Sequence, residues 1–127
     1  MEAKASLVDR RARDLSADRI TNFVLWRIPW VFIAVGAIWT AQRGTLWTIA
    51  LAWIGSACLA NAVRCRRVHC SIMGPSFLIL ALVAGGKTLG WFSIHWNVVW
   101  AAAGIIVLLA FLPEWLGKRY FGQSPAC

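Results

Sequence analysis

Residues 46–86 read LWTIALAWIGSACLANAVRCRRVHCSIMGPSFLILALVAGG, two apolar runs joined by a short basic, cysteine-rich knot. No residue from Leu46 to Val63 is charged. Arg64, Arg66 and Arg67 then crowd together with Cys65, His69 and Cys70 before the second run resumes at Ile72. Each run is close to the roughly 20 residues that an α-helix needs to cross a bilayer. The pattern predicts a membrane-embedded helical hairpin with its turn in the basic knot.

Working outward, the same reading extends over the chain. A first apolar segment covers residues 21–41, with Arg27 near its start; the second covers 46–63. The third covers 72–92, with Lys87 near its far end, and the fourth covers about 94–116, where Pro113 can stop or kink it. Sixty per cent of the 127 residues are apolar, and the 13 basic and 5 acidic residues collect at the segment ends. A soluble chain of this length could not bury so much apolar surface. The fold expected is all-α, an integral membrane bundle of four transmembrane helices spanning residues 21–116. A basic leader (1–20) and a basic tail (117–127) flank it.

Charge asymmetry gives the orientation. Lys4, Arg10, Arg11, Arg13, Arg19, Arg64, Arg66, Arg67, Lys118 and Arg119 share one side of this arrangement, whereas Arg43 and Lys87 lie toward the other. Positively charged flanks stay in the cytoplasm. Both termini and the cysteine loop are therefore expected on the cytoplasmic side of the cell inner membrane. The net charge of +8 does not signal nucleic acid, because the basic residues cap apolar segments instead of forming a stripe among base-reading side chains. Membrane lipids are the expected partners, with no nucleic acid.

Tryptophan positions give a second view of depth. Trp39, Trp47, Trp91 and Trp96 fall at the expected outer helix ends and Trp26, Trp30 and Trp115 near the inner ends, as interfacial belts would. The first segment is expected to stay in the protein and not to be cleaved as a signal peptide. Its leader mixes Asp9, Asp14 and Asp18 with arginines, and bulky Trp39 occupies the place where a cleavage site needs a small residue. Residues 5–20 fit either a short interfacial helix or a frayed leader. Ala34 with Ala37, Ala81 with Gly85, Gly86 with Gly90, and Ala101 to Gly104 are expected at helix contacts.

The residues able to carry chemistry are in the knot. Cys58, Asn61 and Cys65 are spaced i, i+3, i+7 and share one helix face. Cys58 lies about 10 Å inward of Cys65 at 1.5 Å per residue, the distance of a deeper relay stop. Cys65 and Cys70 can meet one ligand only if the chain leaves the helix between them, with His69 beside Cys70 and Cys127 on the same side. Cytoplasmic thiols stay reduced, so a structural disulfide is not the default. Arg64, Arg66 and Arg67, with Gly74 and Pro75 expected in the first turn of the third helix, would keep the loop thiols ionised or contact anions. Thiolates with an imidazole suit a transient soft ion such as Hg(II), Cu(I) or Zn(II). For Cys58 alone, apolar packing is an equal reading, and Asn61 serves equally well as interhelical hydrogen-bond glue.

Enzyme signatures are missing. There is no Gly-rich phosphate loop, serine elbow or carboxylate pair. No acidic residue is expected within the apolar stretches to relay protons. His69 and His95 lie on opposite sides, which argues against a haem bridged by both.

The motif C-x2-N-A-x-R-C-x-R-x-H-C-x3-G-P, running from Cys58 to Pro75, resembles one found in small prokaryotic membrane proteins of mercury or heavy-metal resistance settings. More loosely, size and helix count are similar to those of the small mercuric-ion transporters. That resemblance implies passage of a metal between cysteines toward a cytoplasmic metal or thiol acceptor. The chain departs from the transporters in lacking a cysteine pair in its first segment. Three readings follow. The first is a soft-metal-binding membrane protein using Cys65, Cys70, His69 and Cys58, acting in transport or resistance and completed by homo-oligomerisation or a partner. The second is a thiol redox protein cycling Cys65 and Cys70, and the third is an accessory subunit of a membrane complex.

Overall fold

The computed structural model describes residue 15 and residues 18–117, the side chain of Cys65 excepted. Most of the 5–20 leader and the tail with Cys127 lie outside the described residues. The described residues contain no strand. They form four helices, α1 (Arg19–Ile38), α2 (Arg43–Cys65), α3 (Val68–Thr88) and α4 (Trp96–Trp115). All four are long and apolar enough to cross a membrane, which makes the chain a multi-pass membrane protein by length and composition. Helices pack on their chain neighbours, most extensively α2 on α3. Ile38, Val63, Leu82 and Leu108 are among the large apolar side chains left exposed on the outside, as a lipid-facing surface requires.

Asp18 opens α1. Its carboxylate accepts the Thr21 amide at 2.9 Å and the Thr21 hydroxyl at 2.8 Å. The Thr21 amide, foremost among these donors, holds the Asp18 carboxyl below the usual carboxylate range. The helix widens to a π turn over Phe23–Arg27, where the Ile28 amide reaches back to Phe23 O. Proline explains the widening. Pro29 has no N–H to offer Leu25 O and its ring crowds that carbonyl, so the ladder shifts by one residue. At the other end, Arg43 folds back over the last carbonyls of α1. Its Nε donates to Gly36 O and its Nη2 to Ala37 O, both at 3.1 Å.

Of the tryptophans at helix ends, Trp30, Trp39, Trp91 and Trp115 are exposed. Trp47 is instead a core residue, 8% exposed, donating Nε1–H to Ile33 O at 3.0 Å. It meets the rings of Trp96 and Trp100 edge-on, each at 5.1 Å. Lys87 sets its ammonium 5.2 Å from the Trp96 ring centre.

The small-residue pairs expected from spacing do not include the tight contact against backbone atoms between α2 and α3, which is made by Gly55 of α2 and Gly74 of α3. A Cβ on Gly55 would stand 2.9 Å from Leu78 N and 3.1 Å from Gly74 O, and one on Gly74 would stand 3.0 Å from Leu59 N. Gly90 makes the turn after α3 with φ +78, and a Cβ on Gly104 would meet nothing within 4 Å. The α2–α3 connection is equally tight. Arg66 takes a left-handed conformation (φ 48) with its amide on Ala62 O, and Arg67 is extended. Helix α3 therefore starts at Val68, earlier than position 72. His69 and Cys70 occupy its first turn, and Pro75 lies inside the helix instead of opening it.

Candidate functional site

The two-residue turn sets the register of α2 against α3. With the backbones in contact at Gly55 and Gly74, Cys58 (one turn beyond Gly55) faces Cys70 (one turn before Gly74) across the interface. Both thiols are free and fully buried. The Cys58 and Cys70 side chains are neighbours across this interface. Asn61, one turn further along α2 and 1% exposed, points its Nδ2 at the same sulfur from 3.7 Å. Its Oδ1 has no partner among the described residues.

A third group approaches from α3 itself. His69 Nε2 is 3.2 Å from Cys70 Sγ, and on its other edge Nδ1 is 2.5 Å from Glu114 Oε1 in the last turn of α4. Phe111, one turn before Glu114, stacks on the imidazole at 4.7 Å with the planes 12° apart. The ring is thus fixed on one face and one edge. With Nδ1 turned to the Glu114 carboxyl, Nε2 is the ring atom left to exchange a proton with the Cys70 sulfur. The chemistry of the cluster is therefore a thiol flanked by a proton acceptor, a second thiol and an amide donor. The histidine and glutamate side chains keep 12% and 18% exposure, a short polar route from the buried sulfur to the helix ends.

The residues singled out by sequence fall into two groups. Cys58, Asn61, His69 and Cys70 are brought together, whereas Arg64 and Arg66 are exposed and Arg67 is half-buried. Cys65 closes α2, its side chain outside the description, and Cys127 lies outside the described residues. Cys70 is buried in the first turn of α3, where the sequence placed it in the loop before the helix. The expectation that no carboxylate lies within the apolar stretches is corrected by Glu114, which is part of α4. A signal for it existed: Glu114 is the sole acidic residue after Asp18 in a basic chain, on the side of the bundle that carries His69.

Among the described residues, no group of three or more His, Cys, Asp or Glu side chains is disposed to hold a metal ion. No family model, curated protein or solved structure matches the chain. The geometry of the cluster stands on its own.

Proposed function

We propose that this is a membrane thiol protein whose working pair is Cys58 and Cys70, cycling between dithiol and disulfide. The observation that carries the reading is the convergence of three groups on one buried sulfur: His69 Nε2, the Cys58 thiol and the Asn61 amide. His69 takes the Cys70 proton, with Glu114 and Phe111 holding the imidazole in place. Cys58, not Cys65, is the thiol that closes the disulfide. The Lys and Arg distribution supports a cytoplasmic position for this end of the bundle, where the disulfide would be a transient species and not a structural one.

A second reading has one observation in its favour. A carboxylate behind an imidazole is the usual support for a metal-ligating histidine. In that reading Cys58 and Cys70 hold a soft ion such as Hg(II) or Cu(I) as a two-thiolate pair, and His69 assists, in transport or resistance. One experiment separates the two. Reduced protein carrying Cys65→Ser and Cys127→Ser is treated with diamide and mapped for disulfides, and titrated anaerobically with Hg(II), Cu(I) and Zn(II). The redox reading expects one Cys58–Cys70 disulfide and weak metal uptake. Tight, near-stoichiometric metal binding lost in Cys70→Ser, with no disulfide, replaces it with the metal reading.

A further inference from the structure

Helices α1 and α4 are the least covered parts of the bundle, with 11% and 17% of their apolar spans buried against 50% for α2 and α3. Because α1 packs on α2 and α4 on α3, the outer helices flank a cleft floored by the inner two. The cleft holds a cavity of about 480 Å³, within the range of small-molecule sites. Trp26 and Trp30 of α1 form one wall, Trp100 and Gly104 of α4 the other, and Met73 and Phe77 lie on the floor. No lining residue carries a charge, a hydroxyl or an amide side chain. Trp30, Gly104 and Leu108 are exposed at the rim, so the opening faces the lipid side of the bundle.

An opening onto hydrocarbon is filled by what surrounds it. Water would find too few polar partners in such a cleft to stay there, which leaves the apolar parts of lipids or of another protein. Shape decides between these. From Trp100 to Leu108 the wall runs eight residues, about 12 Å at 1.5 Å per residue. Dividing the 480 Å³ by that length gives a mean cross-section of about 40 Å². An α-helix with its side chains is about 10–12 Å across, too wide for the slot. A single acyl chain is narrow enough to lie along it.

The mouth of the cleft carries a charge. Arg27 is exposed and lies three residues before the rim residue Trp30, a spacing that makes the two neighbours on the helix surface. Arg27 and Trp26 both belong to the π turn of α1, a distortion that recurs at functional sites. A guanidinium eight residues into a membrane-spanning helix needs an anion beside it or a reach back to the headgroups. Among the described residues no carboxylate answers it, since Asp18 is held by Thr21 and Glu114 by His69. A lipid phosphate does both, accepting two parallel N–H···O bonds while its acyl chain enters the cleft. A zwitterionic headgroup already carries its own cation, whereas an acidic one answers both Arg27 and the net charge of +8. We infer that the cleft between α1 and α4 is a binding site for one acidic phospholipid, its phosphate on Arg27 and one acyl chain between the helices. This site stands independently of the dithiol reading.

The test uses full-length protein in nanodiscs of equal phosphatidylglycerol and phosphatidylcholine, released into native mass spectrometry to count and identify the lipids retained. The wild type should keep one lipid per chain, mostly phosphatidylglycerol. Arg27→Gln should lower the ratio of phosphatidylglycerol to phosphatidylcholine about fivefold, with a lipid still retained. Arg64→Gln, which removes an exposed charge away from the cleft, should leave that ratio within twofold. Gly104→Leu fills the cleft at a position where a Cβ meets nothing, and should lower total retention at least tenfold. If the leucine variant misfolds, the two arginine variants still decide. Lipids retained in proportion to supply, or equal losses of selectivity in Arg27→Gln and Arg64→Gln, would overturn the site. So would a folded Gly104→Leu protein that keeps its lipid, or a wild type released as a lipid-free dimer that Gly104→Leu dissociates.

Discussion

Replacing Gly55 with alanine tests whether helix contact sets the thiol geometry. The added Cβ would stand 2.9 Å from Leu78 N, and ordinary contact begins at 3.4 Å, so α2 and α3 must part by about 0.5 Å at this level. Backbone atoms cannot turn aside as a side-chain tip can. Overpacking of this kind costs about 1–3 kcal/mol. Cys58 is one turn away, so the strain is relieved where the two sulfurs meet. A penalty of this size corresponds to a roughly five- to hundredfold loss in the apposed population. The assay is the rate of Cys58–Cys70 disulfide formation with diamide in a Cys65→Ser/Cys127→Ser background, quenched by alkylation and quantified by mass spectrometry. Gly85→Ala is the control, because its Cβ meets only Thr48 Cγ2 at 3.4 Å. Equal rates in Gly55→Ala and Gly85→Ala would refute the reasoning.

Other changes probe separate parts of the molecule. Glu114→Gln removes a charged hydrogen bond to His69 worth about 1.5–3 kcal/mol, and should slow Cys70 alkylation by roughly ten- to a hundredfold without changing that of Cys65. Trp47→Phe keeps an aromatic side chain but loses the N–H to Ile33 O and part of the buried indole; it should cost about 2–4 kcal/mol in SDS-titrated stability. Arg66→Gly relaxes a left-handed residue and should gain roughly 1 kcal/mol with disulfide formation intact. The Asp18 cap is formed while its carboxylate is ionised, and its lowered folded pKa sets the sign. Its contribution is complete above the ordinary carboxylate pKa and is lost as pH falls through the lowered value, seen as loss of the Thr21 amide hydrogen-bond shift by NMR.

Much of the fold was legible because the bilayer constrains it. Long uncharged runs between basic clusters leave few alternatives to four helices, and the knot at 64–70 marked the central turn. Helix ends were less legible. The α3 start at Val68 depends on a left-handed arginine with no glycine to announce it, and Pro75 read as a helix opener although it sits within the helix. At the site, Cys70, His69, Cys58 and Asn61 were visible as a spacing pattern, but their pairing was not. Sequence distance favoured Cys65 as the partner of Cys70, whereas the two-residue turn and the Gly55–Gly74 contact bring Cys58 across. Glu114 was hidden for a related reason: its role depends on α4 returning beside the first turn of α3, a contact between residues 45 positions apart. Trp47 shows the limit of composition arguments, since an indole near a helix end served as a core donor.

The central claim, that Cys70 works with Cys58, is tested most directly by trapping thiols in intact cells. Acid quenching and alkylation of the wild-type protein, with and without an oxidant pulse, are followed by peptide mapping of the four cysteines. The account predicts a reversible Cys58–Cys70 linkage that appears with the pulse and disappears on recovery, with Cys65 remaining alkylatable. A linkage between Cys65 and Cys70, or four thiols reduced throughout, would contradict it.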